Sequence, residues 1–295
     1  MAGLIWDHHP RLRRPILVAA FEGWNDAADA ASTAAKWLIA HLDAHRFARL
    51  DAETYFDFQS NRPQVELVDG VTRGIAWPST DCFAASVPSG EHDLVIVVGA
   101  EPNLQWRGFC DDIRSVAADT GCELVVTLGA LLADVPHTRP LHVTGAATDP
   151  EVIERLGLVR SRYEGPTGIV GVLHDAFREA GVPSVSLWAP VPHYVAAPPN
   201  PVAALGLLDR FVALSGIELD RSDLRGAAAA WREQVDEVVA GDDDVANYVR
   251  QLEEAIDAGA LVGEEPNPIS ETDLPTGDAL AAELERFLRD ESGDV

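Results

Sequence analysis

Apolar residues run through this chain in two rhythms. Some form short continuous blocks that end in polar turns; others return every third or fourth position over longer stretches. Ile16–Phe21 (ILVAAF) is a block long enough for a strand buried on both faces. The polar break Glu22-Gly23-Trp24-Asn25 follows. Asp26–Leu38, rich in alanine and with acids in its first turns, then predicts a helix. Asp93–Val98 and Glu123–Leu128 repeat the block pattern. Between them Phe109, Ile113, Val116 and Ala117 fall at helical spacing, which predicts a helix over Trp106–Thr120. Leu141–Ala146 and Ser184–Ala189 read as further strands. Pro150–Leu156 and Ile169–Ala180 read as helices, as does Val202–Ser215 after the proline-rich loop Val191–Pro201.

Between the first two blocks, Asp51–Asp57 and Cys82–Val87 read as strands. Asp69-Gly70, set between apolar Val65–Val68 and Val71–Trp77, is a hairpin signal. Strands alternating with helices predict an α/β fold: a three-layer α/β/α arrangement around a mainly parallel mixed sheet, with the hairpin as an antiparallel excursion. The last stretch is different. Val235, Val238 and Val239, then Val245, Val249, Leu252 and Ile256, then Leu280, Leu284, Phe287 and Leu288 predict three amphipathic helices, with Gly263–Pro275 linking the second and third. The expected division is an α/β domain over 1–218 and an acidic helical appendage over 219–295.

Charge sharpens that division. The chain carries −26, and −15 of it falls from Asp220 onward, where 21 acids face 6 arginines. A nucleic acid or an anionic membrane is therefore not an expected partner. Lys36 is the only lysine, so Schiff-base chemistry would depend on it alone. Cys82, Cys110 and Cys122 are odd in number and widely spaced, without zinc spacing, so neither a disulfide framework nor a structural metal is expected. The N-terminus lacks a signal-peptide pattern and no segment approaches a membrane span, which fits a cytoplasmic protein.

Chemistry, if any, belongs at the turns. In open α/β sheets ligands bind beyond the carboxyl ends of the strands, where polar turns converge. Glu22, Asn25 and Asp26 stand in the first turn. Asn61 and Arg62 lie in the Phe58–Pro63 loop, Glu101 and Asn103 follow the second block, and Glu164 and Thr167 precede a helix. Glu22 and Glu101, each directly after a buried strand, are candidate general acids or bases. Asp26 and the loop residue His137 are further catalytic candidates, while Asn25, Asn61, Arg62, Asn103, Glu164 and Thr167 are candidate ligand contacts. Asp26 and Asp29 also suit helix capping, and at a helix start they disfavour a phosphate. Neither G-x-G-x-x-G nor a P-loop motif occurs, so no cofactor is expected.

Six stretches together carry a family resemblance: PILVAAFEGWNDAADAA, YFDFQSNRPQVELVDGVTRGIAWP, LVIVVGAEPNLQWRGF, TLGALLADVPHTRP, YEGPTGIVGVLHDAF and SLWAPVPHYVAAPPNP. Over roughly Ile5 to Leu214 the chain resembles the proteasome assembly chaperone 2 family, in its actinobacterial branch. The resemblance implies a phosphorylase/hydrolase-like α/β/α fold, a homo-oligomer, with a trimer expected, and proteasome subunits as partners. It implies an interaction protein with no established activity; the alternative is an enzyme acting on a small polar molecule near Glu22 and Glu101. The chain ends Glu291-Ser292-Gly293-Asp294-Val295, so insertion of a hydrophobic-tyrosine-X tail is not expected.

Overall fold

Continuous apolar blocks make strands here, and three-to-four spacing makes helices. The computed structural model describes residues 3–68, 72–156, 159–160 and 164–259. Its strands are β1 (Leu4–Trp6), β2 (Ile16–Glu22), β3 (His45–Leu50), β4 (Gln64–Val68), β5 (Thr72–Ala76), β6 (Thr80–Ala85), β7 (Leu94–Ala100), β8 (Leu124–Ala133), β9 (Thr144–Ala147), β10 (Val159–Arg160) and β11 (Ser184–Pro192). Its helices are α1 (Ala30–His41), α2 (Ala52–Tyr55), α3 (Trp106–Thr120), α4 (Pro150–Leu156), α5 (Ile169–Glu179), α6 (Pro201–Ser215), α7 (Ser222–Ala240) and α8 (Asp243–Asp257).

Nine strands form one sheet in the order β1-β3-β6-β7-β2-β8-β11-β9-β10. The four central strands, β7, β2, β8 and β11, are mutually parallel. Antiparallel β6, β3 and β1 extend one side; β9, antiparallel to β11, extends the other. Strand β2 shows why helices cover both faces. Ile16, Val18 and Ala20 point into one core with α1 and α6, whereas Leu17, Ala19 and Phe21 point into the other with α3 and α5. Successive side chains of a strand leave opposite faces, so a fully apolar strand needs two covers. The α/β/α layers follow from this.

Several boundaries differ from the sequence reading; β9 covers Thr144–Ala147 rather than Leu141–Ala146, and β11 runs on to Pro192. Asp51–Asp57 is not a strand: Ala52–Tyr55 makes one helical turn that buries Tyr55 edge-on against Phe109, and the Tyr55 hydroxyl donates to Asp112 at 2.5 Å. The strand in that part of the sheet is β3, hidden in the sequence because His45, Arg46 and Arg49 break up its apolar residues. Strand β8 does not stop at Leu128. It runs to Ala133, paired with β11 from Val125↔Ser184 to Ala133↔Pro192. Gly129 continues the strand because a Cβ there would lie 2.6 Å from the indole of Trp188.

The hairpin expected around Asp69-Gly70 is present as the β4–β5 ribbon, a separate two-stranded sheet pairing Gln64↔Ala76 through Val68↔Thr72. Its tip lies outside the described residues. So do the third amphipathic helix and its linker. Helix α7 packs on α6 and α8 on α7, with Val235, Val239 and Val249 forming a small core of their own. Among the described residues no helix is long and apolar enough to cross a membrane.

Gly99, in β7, tests the sheet's tight packing. A Cβ there would stand 2.0 Å from the carbonyl oxygen of Ser79 and 2.5 Å from the Cα of Thr80, both backbone atoms that cannot swing away. Gly99→Val is expected to cost at least ~2 kcal/mol and lower Tm by several degrees, checked by thermal melting.

Candidate functional site

Parallel strands deliver their turns to one edge. Glu22 pairs with Ala100 in register, so the turns after β2 and β7 leave the sheet side by side, and the N–H of Glu101 donates to the carbonyl of Glu22 at 3.0 Å. Gly23 adopts a φ of 109° there. One carboxylate then joins three segments. Glu101 Oε1 accepts from Asn25 Nδ2 at 2.5 Å and from the backbone N–H of Ile169, at the start of α5, at 2.8 Å. A carboxylate at a helix N-terminus is favoured by the free N–H groups and the dipole. Gly168 presses against Asn25 so closely that a Cβ would lie 2.3 Å from the amide. Asn25 is fully buried, and its Oδ1 has no hydrogen-bond partner among the described residues.

Other expected residues gather around this joint. Asn61 Nδ2 donates to the carbonyl of Glu101 at 3.5 Å and to Asn103 Oδ1 at 3.3 Å; that oxygen also accepts from the N–H of Asp57 at 3.0 Å. Glu22 is half-exposed and pairs with Lys36 at 2.5 Å. The structure therefore brings together Glu22, Asn25, Asn61, Glu101 and Asn103, and each is held by other protein groups. Arg62, Glu164 and Thr167 are exposed, and the Arg62 guanidinium makes no ion pair among the described residues.

Asp26 caps a helix from a distance. The predicted helix does not begin at Asp26: residues Ala27–Asp29 make a 3-10 turn in which Ala28 and Asp29 take left-handed backbone angles, and α1 starts at Ala30. The side chain of Asp29 makes no cap. Instead Asp26 Oδ1 accepts from Ala31 N–H at 2.6 Å, and Oδ2 from Ser32 N–H at 3.2 Å. Burial pushes its carboxyl above the ordinary range, against the lowering effect of these hydrogen bonds.

His137 stands apart from that joint. Its buried ring bridges Tyr194, whose hydroxyl lies 2.7 Å from Nδ1, and Asp236 of α7, whose Oδ1 lies 2.9 Å from Nε2. The hydroxyl of Tyr194 also accepts from the His137 N–H at 2.8 Å. The same loop reaches α8: Thr138 donates to Glu253, and Arg139 pairs with Glu253 at 3.1 Å and Asp257 at 2.7 Å. Tyr–His–Asp has the outline of a nucleophile, base and orienter. Burial, however, pushes the Tyr194 hydroxyl up to about 12, which disfavours a phenolate at neutral pH. The arrangement is a clamp between the β8 loop and the tail helices. Asp236, 99 residues from His137, had no sequence signal marking it as the partner.

Two cavities lie away from the joint. One of about 30 Å³ sits beside His137, Asn200 and Trp231; the other, about 370 Å³, sits at the opposite end of the sheet between Leu124, Asp149, Arg178 and Ser184. Neither is lined by Glu22, Asn25 or Glu101. No cluster of three or more His, Cys, Asp or Glu is placed to hold a metal among the described residues. Beside the polar Arg62, Glu164 and Thr167, large apolar side chains are exposed in the first turn and on the ribbon. Trp24, in the first turn, is 65% exposed, and Val65, Leu67, Ile75 and Trp77 along the β4–β5 ribbon are all more than half exposed. The alternation of 65 with 67 and of 75 with 77 is the sequence signal for that face.

The model of the PAC2 family matches residues 20–239. The chain belongs to the PAC2 family. A PAC2 family protein from Streptomyces avermitilis has a crystal structure 50% identical in sequence, covering 80% of this chain and 99% of its own, with a TM-score of 0.74. The proteasome-assembly chaperone homologue of Mycobacterium tuberculosis is 46% identical, covers 79% of this chain and 99% of its own, and also scores 0.74. The archaeal proteasome activator PbaB of Pyrococcus furiosus shares the fold, at 21% identity over 81% of this chain and 99% of its own, with a TM-score of 0.64. No curated protein matches this PAC2 chain.

Two measurements test the site. Because Asp26 binds its proton more tightly folded than unfolded, wild type should gain stability relative to Asp26→Asn as pH falls from neutral towards the ordinary carboxylate pKa of about 3.9. The gain should level off below that pH, as read from denaturant midpoints. His137→Ala removes the bridge between Tyr194 and Asp236 and should cost about 2 kcal/mol. Hydrogen exchange should show amides of α7 and α8 exchanging faster, with those of β2 and β8 the last to change.

Proposed function

We propose that this PAC2 family protein is a chaperone-like interaction protein for proteasome-type assemblies, and that it works as a cytoplasmic homo-oligomer, with a trimer the expected form. The observation that carries the reading is the exposed apolar strand-end edge, with Trp24 and the ribbon residues Leu67 and Trp77 on the surface. Large exposed apolar patches on soluble proteins mark interaction sites. Membership of the PAC2 family and the M. tuberculosis relative described as a proteasome-assembly chaperone homologue support the partner class. The polar turn residues support it from the other side. Glu101, Asn61, Asn103 and the Nδ2 of Asn25 spend their hydrogen bonds on each other and on the backbone, so they read as the joint that fixes the edge.

The test uses purified proteasome α subunits of the same organism, with and without their β partners, and size-exclusion chromatography with light scattering. The expected result is a complex with α subunits or assembly intermediates that weakens at least tenfold in Trp24→Ala/Trp77→Ala, while the free protein elutes as an oligomer. No complex with any of these species would sink the reading.

A further inference from the structure

We infer that the strand-end edge takes an acidic amphipathic protein segment, one that presents apolar side chains flanked by carboxylates. The inference rests on the interaction reading above and specifies the chemistry of the partner. It comes from a contrast in how charges are used. The arginines Arg13, Arg14, Arg46, Arg49, Arg139 and Arg221 each lie against a carboxylate. Arg62, Arg73 and Arg107 are exposed and have no ion-pair partner among the described residues, in a chain of net charge −26; the same is true of Arg11, Arg155, Arg225 and Arg250 elsewhere, so what distinguishes the three is where they stand. All three border the apolar edge. Arg62 stands at the base of the ribbon. Arg73 faces Leu67 across it and so shares the face of Val65, Leu67 and Ile75. Arg107 lies in the first turn of α3, three residues after the exposed Leu104.

Most carboxylates of the same turns are already engaged, Glu164 before α5 being the exposed exception. Glu22 is paired with Lys36 and Glu101 with Asn25 and Ile169 N–H, and Asp57 accepts from Gln59 N–H at 2.9 Å. Glu66 pairs in register with Gly74, on the opposite face of the ribbon from Arg73. Arg73 thus shares one ribbon face with the exposed Val65, Leu67 and Ile75, and a cation beside exposed apolar side chains is the composition of an interaction hot spot. Distant acids matter little there, because at physiological salt the Debye length is about 8 Å. A basic segment would be drawn to the molecule as a whole but meets exposed arginines at this edge, whereas an acidic one gains ion pairs here beside apolar contacts.

The experiment uses two fluorescein-labelled helical peptides with the same leucine stripe, one filled out with glutamate and the other with lysine. Each is titrated with the full-length protein in 0.15 M salt and read by anisotropy. The glutamate peptide should bind. Its affinity should fall at least tenfold in Arg62→Ala/Arg73→Ala/Arg107→Ala and in Trp24→Ala/Trp77→Ala. The lysine peptide should not respond to the arginine variant. The three arginines are exposed and unpaired, so an unchanged melting curve verifies that the variant folds. Absent binding of the glutamate peptide, or equal binding by the arginine variant, overturns the inference. So does a variant whose oligomeric state changes while peptide binding does not, because the face would then join copies of this chain. If α subunits are retained by wild type and by the arginine variant alike, this inference falls and the interaction reading stands. If peptide binding behaves as described but no proteasome species is retained, the surface stands and the interaction reading falls.

Discussion

Burial of β2 on both faces is the constraint from which the rest of the architecture follows. Its six apolar residues leave no face for water, and its backbone N–H and C=O groups must all find partners inside the protein. Strands β7 and β8 supply those partners from either side, both parallel to β2 and in register with it: Ala20 lies opposite Val98 on one and Leu128 on the other. Parallel strands need crossovers, and the crossovers are the helices that cover the two faces. The same geometry puts the carboxyl ends of the three strands together. That is why a single carboxylate, Glu101, can reach the turn after β2 and the start of α5.

This joint shows how polar groups behave where a strand emerges from a dry core. Asn25 is fully buried, so its Nδ2 needs an acceptor inside the protein, and the N–H groups at the start of α5 have no carbonyl in their own helix to bond. Glu101 answers both at one oxygen. The charge-assisted bonds are worth more there than in water, which makes the joint a fixed platform. Asp26 applies the same solution one residue on, to the first N–H groups of α1. The carboxylates that look most chemical in sequence are therefore engaged with the backbone or with neighbouring side chains. The surface beyond them is left to tryptophan, leucine and unpaired arginine.

How much of this could be read beforehand depends on the range of the interaction. Local periodicity marked helix α3 to the residue at both ends, and Asp69-Gly70 marked the ribbon, because helix spacing and turn chemistry act between near neighbours. Strand β3 was lost because an edge strand with one half-wetted face mixes His45, Arg46 and Arg49 with Phe47, Ala48 and Leu50. Tyr55 and Phe56 suggested a strand through intrinsic preference, but packing against Phe109 won. At the candidate site the turns themselves were legible. Their bonding was not: Asn25 finds Glu101 76 residues away, and His137 finds Asp236 99 residues away, and only the topology brings such pairs together.

The tail helices complete the contrast between apolar and polar cohesion. The main cores consist of dozens of buried aliphatic and aromatic side chains, whereas α7 and α8 meet the β8 loop through a few valines and a dense set of polar contacts. Exposed ion pairs such as Arg139 with Asp257 are screened by salt, whereas buried apolar contacts have no such charge-screening response. A strongly acidic helix pair also repels itself, and the clamp places Arg139 where Glu253 and Asp257 converge. His137 contributes a buried ring to the set, bonded on one side to Tyr194 and on the other to the solvent-facing carboxylate of Asp236. The PAC2 chain therefore holds its strand-end platform by burial, and α7 and α8 by a smaller apolar core joined to polar contacts. Salt screening is thus expected to act first on the contacts of α7 and α8.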